Sequence, residues 1–379
     1  MTLLSRLGFG VWARRPTEEV LFRLCAVASL AFSTWIVLHE AGRTASLVEV
    51  HSDHFHHSRA ALTFIHRGFE VYRRPFRETA VPFPYGGLSW PDWPIAYPPG
   101  MFLVFLPPAL MDAWVPMTSA VWAKLTVLWI VVLCHLALFG IWSAISRVRG
   151  GGAAPVLLGI WILMLRMSLC GFYDPVWLGC GAVSIAALID RRFVASLLWF
   201  SAAILISYRA ASLAPAAGWA AVLLLRGGEP IRTKVVALLA TAIACALVLW
   251  TFWLCRNAMP PLSTIADKST LTPLLPFGPR SAIVLLMCVA TASLALVKGD
   301  ALVAISVGWA FVLTLVHAGP SWHGSMLVPT LLLVGVGRRS ASLVFVRNIV
   351  AVWFLVMEEF AFNNTMAQLI ELLLKANLR

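Results

Sequence analysis

Apolar stretches of membrane-crossing length recur along most of this chain, at 20–38, 119–146, 153–168, 174–190, 193–207, 211–225, 234–255, 281–297, 301–317, 321–336 and 343–357. A helix needs about 20 such residues to cross the hydrocarbon core, and in lipid only helices or closed barrels satisfy every backbone N–H and C=O. The runs are continuous rather than alternating, which selects helices. Composition agrees: 60% of the residues are hydrophobic and 12% charged, where a water-soluble domain has roughly a quarter charged. The expected fold is therefore an all-α polytopic membrane protein with about 10–12 transmembrane helices. Residues 193–225 also read as one bent element around Ser207 to Pro215.

The formal charge of +12 could suggest a nucleic-acid partner, so the placement of the basic residues decides. They fall at alternate span ends: Arg6, Arg14 and Arg15; Arg147 and Arg149; Arg191 and Arg192; Arg226, Arg232 and Lys234; Lys298; Arg338 and Arg339. That is the positive-inside pattern, and it accounts for the charge as topology. With a cytoplasmic N-terminus every cluster lands inside, provided that 39–118 makes no net crossing. The stretch Met101 to Val115, which is apolar, short and interrupted by Pro107 and Pro108, then reads as a helix on the outer surface. A true span with a compensating crossing elsewhere is the alternative. Residues 1–379 form a single membrane domain on this reading, with 39–118 as an embedded extracytoplasmic cap.

All seven cysteines lie in or beside apolar spans and none in the long loop, which argues against a disulfide framework. Span 20–38 has no small-residue cleavage site after it and reads as a retained signal anchor. From Glu358 onward the sequence suggests an amphipathic helix on a membrane face.

Polar chemistry concentrates between His39 and Gly100, which hold Glu40, Glu49, Asp53, Glu70, Glu78 and Asp92 beside His39, His51, His54, His56, His57 and His66. The loop's many aromatics argue for order. Asp53 is followed by Arg59-Ala60-Ala61-Leu62, by Gly68-Phe69-Glu70-Val71-Tyr72, and by Trp93-Pro94-Ile95-Ala96-Tyr97-Pro98-Pro99-Gly100 leading into an apolar helix. This order resembles the GT-C superfamily of integral membrane glycosyltransferases, most of all its polyprenyl-phosphate-mannose-dependent mannosyltransferase branch. The resemblance covers roughly residues 20–150. It implies a GT-C-like bundle with surface helices in a long first extracytoplasmic loop, set in the bacterial inner membrane. It also implies that the loop acid, Asp53, is the catalytic base. Two elements depart from the pattern: Cys170-Gly171-Phe172-Tyr173-Asp174-Pro175 replaces a Gly-Gln-x-Asn element, and Tyr208-Arg209-Ala210-Ala211-Ser212 replaces a Lys-Pro.

The chemistry that such an enzyme needs can be sought among the residues themselves. Moving a sugar from a lipid-linked phosphate to a hydroxyl requires a base near the acceptor and cations beside the departing phosphate. Asp53 fits the first role, although an aspartate there also caps a helix starting near His54. Arg209 fits the second, because it falls between two apolar spans at the end assigned outside. Arg166, near Asp174 across a short turn, and His323, beside Trp322 in a last external turn, are further donor-phosphate candidates; a structural ion pair is the alternative for both Arg166 and Arg209, and a plain interfacial histidine for His323. His54, His57, Arg59, Tyr72 and Tyr97 are candidate substrate-binding residues. The histidine cluster could hold a divalent metal, but its spacing matches no zinc signature and no cofactor is firmly implied. The partners expected are a polyprenyl-phosphate-linked sugar donor and membrane lipids, with no nucleic acid. A non-catalytic GT-C-like scaffold and a lipid or solute transporter are the competing functions.

Overall fold

The computed structural model describes residues 16–39, 53–82, 94–95, 97–147, 161, 164–165, 167–169, 171–257, 293 and 301–316. The expected spans 281–297, 321–336 and 343–357, most of 153–168, and the helix from Glu358 lie outside the described residues. The described elements are all helical. In chain order they are α1 (Pro16–His39), α2 (Asp53–Arg67), a 3-10 turn (Gly68–Tyr72), α3 (Phe76–Thr79), α4 (Pro99–Trp114), α5 (Ser119–Arg147), α6 (Asp174–Ile189), α7 (Phe193–Ile206), a second 3-10 segment (Tyr208–Leu213), α8 (Ala214–Arg226), α9 (Ile231–Cys255) and α10 (Ala301–Val316).

Among the described residues four stretches are long and apolar enough to cross a membrane: Glu19–Leu38, Ser119–Trp142, Tyr208–Arg226 and Ile231–Cys255. The chain is thus an integral membrane protein of the all-α class. Helix α9 leaves Val235, Val236, Leu239, Ile243, Leu249 and Trp253 exposed, an apolar face suited to lipid. Helix α6 is the opposite case, buried along nearly its whole length between α5 and α7. Lipid tails are as apolar as leucine, so close van der Waals packing has to hold such helices together. Small residues supply it here. A Cβ on Gly179 would come within 2.5 Å of the Ala137 Cβ, and one on Gly140 within 2.7 Å of a Val183 methyl.

The span read as bent is broken at Ser207. Its extended backbone (φ −146°, ψ 129°) ends α7, and the 3-10 segment then turns the chain into α8. Helix α4 keeps both prolines inside it. Pro108 has no N–H to offer the carbonyl of Val104, four residues back, and the Trp129 indole donates to that carbonyl at 2.8 Å instead. The carbonyl of Pro108 accepts from Trp122 at 2.9 Å, so α5 stitches the interrupted helix to itself.

Helices α1 and α5 run antiparallel. Phe22 stacks on Trp142 at 4.6 Å, the Ser29 hydroxyl meets His135 at 3.0 Å, and Lys124 donates to the Leu38 carbonyl at 3.2 Å. The chain therefore leaves α1 and enters α5 at the same end of the bundle, so 39–118 makes no net crossing. That end also carries α2 and the starts or ends of α4, α6, α7, α8 and α9. The turn Asp190–Arg192 and the link from Arg226 to Lys234 lie at the other end, where Lys234 caps α8 through the carbonyls of Leu225 (3.0 Å) and Gly227 (2.7 Å). Cysteines placed at Arg74 and at Gly228 should accordingly react with a membrane-impermeant maleimide from opposite faces of sealed vesicles. Labelling of both from one face would contradict this arrangement.

Candidate functional site

The site starts from two adjacent histidines on α2. Both are buried, against different neighbours. His56 meets the edge of Phe76, ring centroids 4.8 Å apart. His57 stacks on Phe105 at 4.9 Å and meets Tyr97 at 4.8 Å and Tyr173 at 5.3 Å edge-on. An imidazole among three aromatic rings locks α2 onto the start of α4 and the start of α6.

Tyr173 links this layer to the buried charges. Gly171, at φ 76°, takes the left-handed conformation that ends the preceding turn; its N–H bonds Ser168 and the next bonds Met167, both at 2.9 Å. Pro175 in the first turn of α6 then restarts the helix directly after Tyr173. Asp174, the first residue of α6, is buried, and its Oδ1 accepts from the Arg209 guanidinium and from the Trp177 indole at 2.8 Å. Arg209 reaches it from the 3-10 segment, its backbone N–H held by the Ser207 hydroxyl at 3.4 Å and its guanidinium 5.8 Å from the Tyr208 ring. The Tyr173 hydroxyl, within electrostatic reach of Arg209, Asp174, Tyr97 and Tyr208, has no hydrogen-bond partner among the described residues.

The candidates from the sequence separate into three groups. His57, Tyr97 and Arg209 come together around Tyr173. Arg59 and Tyr72 act as braces: the Arg59 Nε donates to the Val81 carbonyl at 2.7 Å, and the buried Tyr72 hydroxyl donates to the Tyr97 carbonyl at 2.8 Å. Thr63 ties the same segment from the other side, accepting from the Val81 N–H at 3.2 Å. Asp53 opens α2, with His54 next to it, and both side chains lie outside the described ones, as do Arg166 and His323 entirely. Asp174, a short turn away from Arg166 in sequence, is paired with Arg209 across 35 residues. The sequence does not single out Tyr173 or Trp177 as site residues and offers His56 only as one of the histidine cluster; an aspartate opening an apolar run with tryptophan three positions on is a further signal there. Among the described residues no group of three His, Cys, Asp or Glu side chains is arranged to hold a metal.

Burial sets the protonation state of the cap. His56 is driven down to about 3 by loss of solvent, aided by the nearby positive charge of Arg59. Between pH 6.5 and 3 the unfolded chain binds a proton at this position that the folded chain refuses. Stability should therefore fall as the pH drops through 6.5 and continue down towards 3, by up to about 1.4 kcal/mol per unit. Thermal unfolding of the purified protein at pH 7.5 and pH 5 should show the loss, and His56→Phe should shrink the difference. An unchanged difference would acquit His56. The Tyr72 hydroxyl is pushed above its usual range, also by burial first, and stays protonated as a donor to Tyr97.

Comparison with known protein families, with curated proteins and with solved structures finds no match.

Proposed function

We propose that this protein is an inverting GT-C type glycosyltransferase that moves a sugar from a polyprenyl-phosphate donor to a hydroxyl of a glycolipid, glycan or protein. The reaction takes place at the extracytoplasmic end of the bundle. The observation that supports it is the packing of α2, opened by Asp53, through His57 and Tyr173 onto the Asp174–Arg209 ion pair. A carboxylate-bearing surface helix and a buried cation thus share one end of the membrane domain.

In this scheme Asp53 takes the proton of the acceptor hydroxyl as that oxygen attacks the anomeric carbon. The bond from that carbon to the phosphate oxygen breaks on the opposite face, and polyprenyl phosphate departs with the electron pair. Arg209 steadies the negative charge of the leaving group. Asp174 and Trp177 fix the orientation of the guanidinium, whose planar fork is suited to phosphate oxygens.

A second reading draws on the same ion pair. Asp174 neutralises Arg209 within the protein, as in a scaffold that retains the fold without the reaction. Membranes containing the protein, supplied with radiolabelled polyprenyl-phosphate sugar, test the choice. Transfer of label to a membrane or soluble acceptor, absent from control membranes, is expected; no transfer across mannose and other hexose donors would favour the scaffold.

A further inference from the structure

An open groove of about 560 Å³ lies beside α2, lined by Leu62, His66, Arg67, Val81 and Pro82. It belongs neither to the histidine layer nor to the Asp174–Arg209 pair. One side is apolar and the other basic. The segment from Arg59 to Pro82 carries five arginines, Arg59, Arg67, Arg73, Arg74 and Arg77, against Glu70 and Glu78. All but Arg59 of these arginines are exposed. The Arg59 bond to the Val81 carbonyl holds the far wall in place, so the groove is built into the cap.

The surroundings place this groove at the lipid boundary. Phe69, two residues beyond Arg67, packs on Trp250 of α9 at 4.6 Å between centroids. Around Trp250, α9 exposes Leu249, Phe252 and Trp253, and the Arg256 guanidinium sits 3.9 Å over the Trp253 ring. Tryptophans flanked by arginine at the end of an apolar helix mark the headgroup level of a bilayer. Ile65, on the same helix as the groove, is exposed as well. Arginines at that depth have phosphodiesters as their natural counter-charges, which they grip through paired N–H donors.

We propose that the groove formed by Leu62, His66, Arg67, Val81 and Pro82, in a segment that also exposes Arg73 and Arg74, binds the headgroup of an anionic phospholipid. The phosphate lies on the arginines, and the glycerol and upper acyl chain lie against Leu62, Val81 and Pro82. The site does not depend on the glycosyltransferase assignment. It would anchor the cap to one leaflet.

Native mass spectrometry of the full chain, delipidated in detergent and titrated with phosphatidylglycerol or phosphatidylcholine, measures it. Phosphatidylglycerol should bind more tightly, and the triple variant Arg67→Gln, Arg73→Gln, Arg74→Gln should weaken it by about tenfold or more, given roughly 1 kcal/mol per arginine at a charged bilayer surface. A photoreactive phosphatidylglycerol should label peptides within 59–82. Equal binding of the two lipids, unchanged binding in a triple variant that elutes as a folded monodisperse protein, or label confined to the basic turns at 191–192 and 226–234 would overturn the proposal. So would displacement of the lipid by glycerol phosphate alone, which would make the ligand a soluble phosphate.

Discussion

Asp174→Ala should destabilise the folded protein by about 3–5 kcal/mol, because it leaves the Arg209 charge buried without its carboxylate. Both members are almost fully buried, with side chains 2% and 9% exposed, so solvent can do little to replace the lost partner. Arg209→Ala should cost a similar amount by stranding the carboxylate, for which Trp177 supplies a single neutral hydrogen bond. The double variant Asp174→Leu, Arg209→Met removes both charges and should recover most of the loss, since apolar replacements of buried pairs are often neutral. Unfolding titrations of the three variants in one detergent would measure this. A double variant whose loss equals the sum of the two single losses would show that the two residues are not coupled. The same protein also tests function: folded and inactive, it supports Arg209 as a ligand of the leaving phosphate; folded and fully active, it removes Arg209 from the site.

Asp53→Asn should lower transfer by about 10²–10⁴-fold, the usual worth of a positioned general base. Asparagine keeps the shape of the side chain and its ability to cap a helix, so α2 should form as before and the melting temperature should stay close to that of the parent. Binding of polyprenyl phosphate should also survive, because the donor is held by other groups. Transfer near the parent level would falsify the assignment of Asp53 and favour the scaffold. A variant that loses binding and stability together would show that the Asp53 carboxylate serves the fold rather than the transfer step.

Much of the fold was legible because lipid imposes a simple rule on the chain. Continuous apolar runs mark helices, and the described helices α1, α5, α6, α7, α9 and α10 begin and end close to the runs that predict them. The alternation of arginines at span ends also marked 39–118 as an excursion with no net crossing, and the antiparallel packing of α1 on α5 agrees. The break at Ser207 was legible as well, since the apolar runs 193–207 and 211–225 stop on either side of it, and the extended backbone falls there. Pairings were not legible at all. Asp174 lies near Arg166 in sequence and bonds Arg209, and such a choice depends on how α6 and α7 pack rather than on either local sequence. Arg59 and Tyr72 stood out for their place in a motif, yet both hydrogen-bond main-chain carbonyls, a role that residue identity does not announce.

Gly100 stands where α4 meets the last turn of α7. A Cβ there would lie 2.6 Å from the Leu205 carbonyl oxygen and 2.8 Å from its carbon, so the two backbones abut with nothing compressible between them. Two residues past Leu205 the chain reaches Ser207, then Tyr208 and Arg209. A displacement of α4 towards α7 therefore meets main chain rather than a yielding side chain, only a few residues before Arg209.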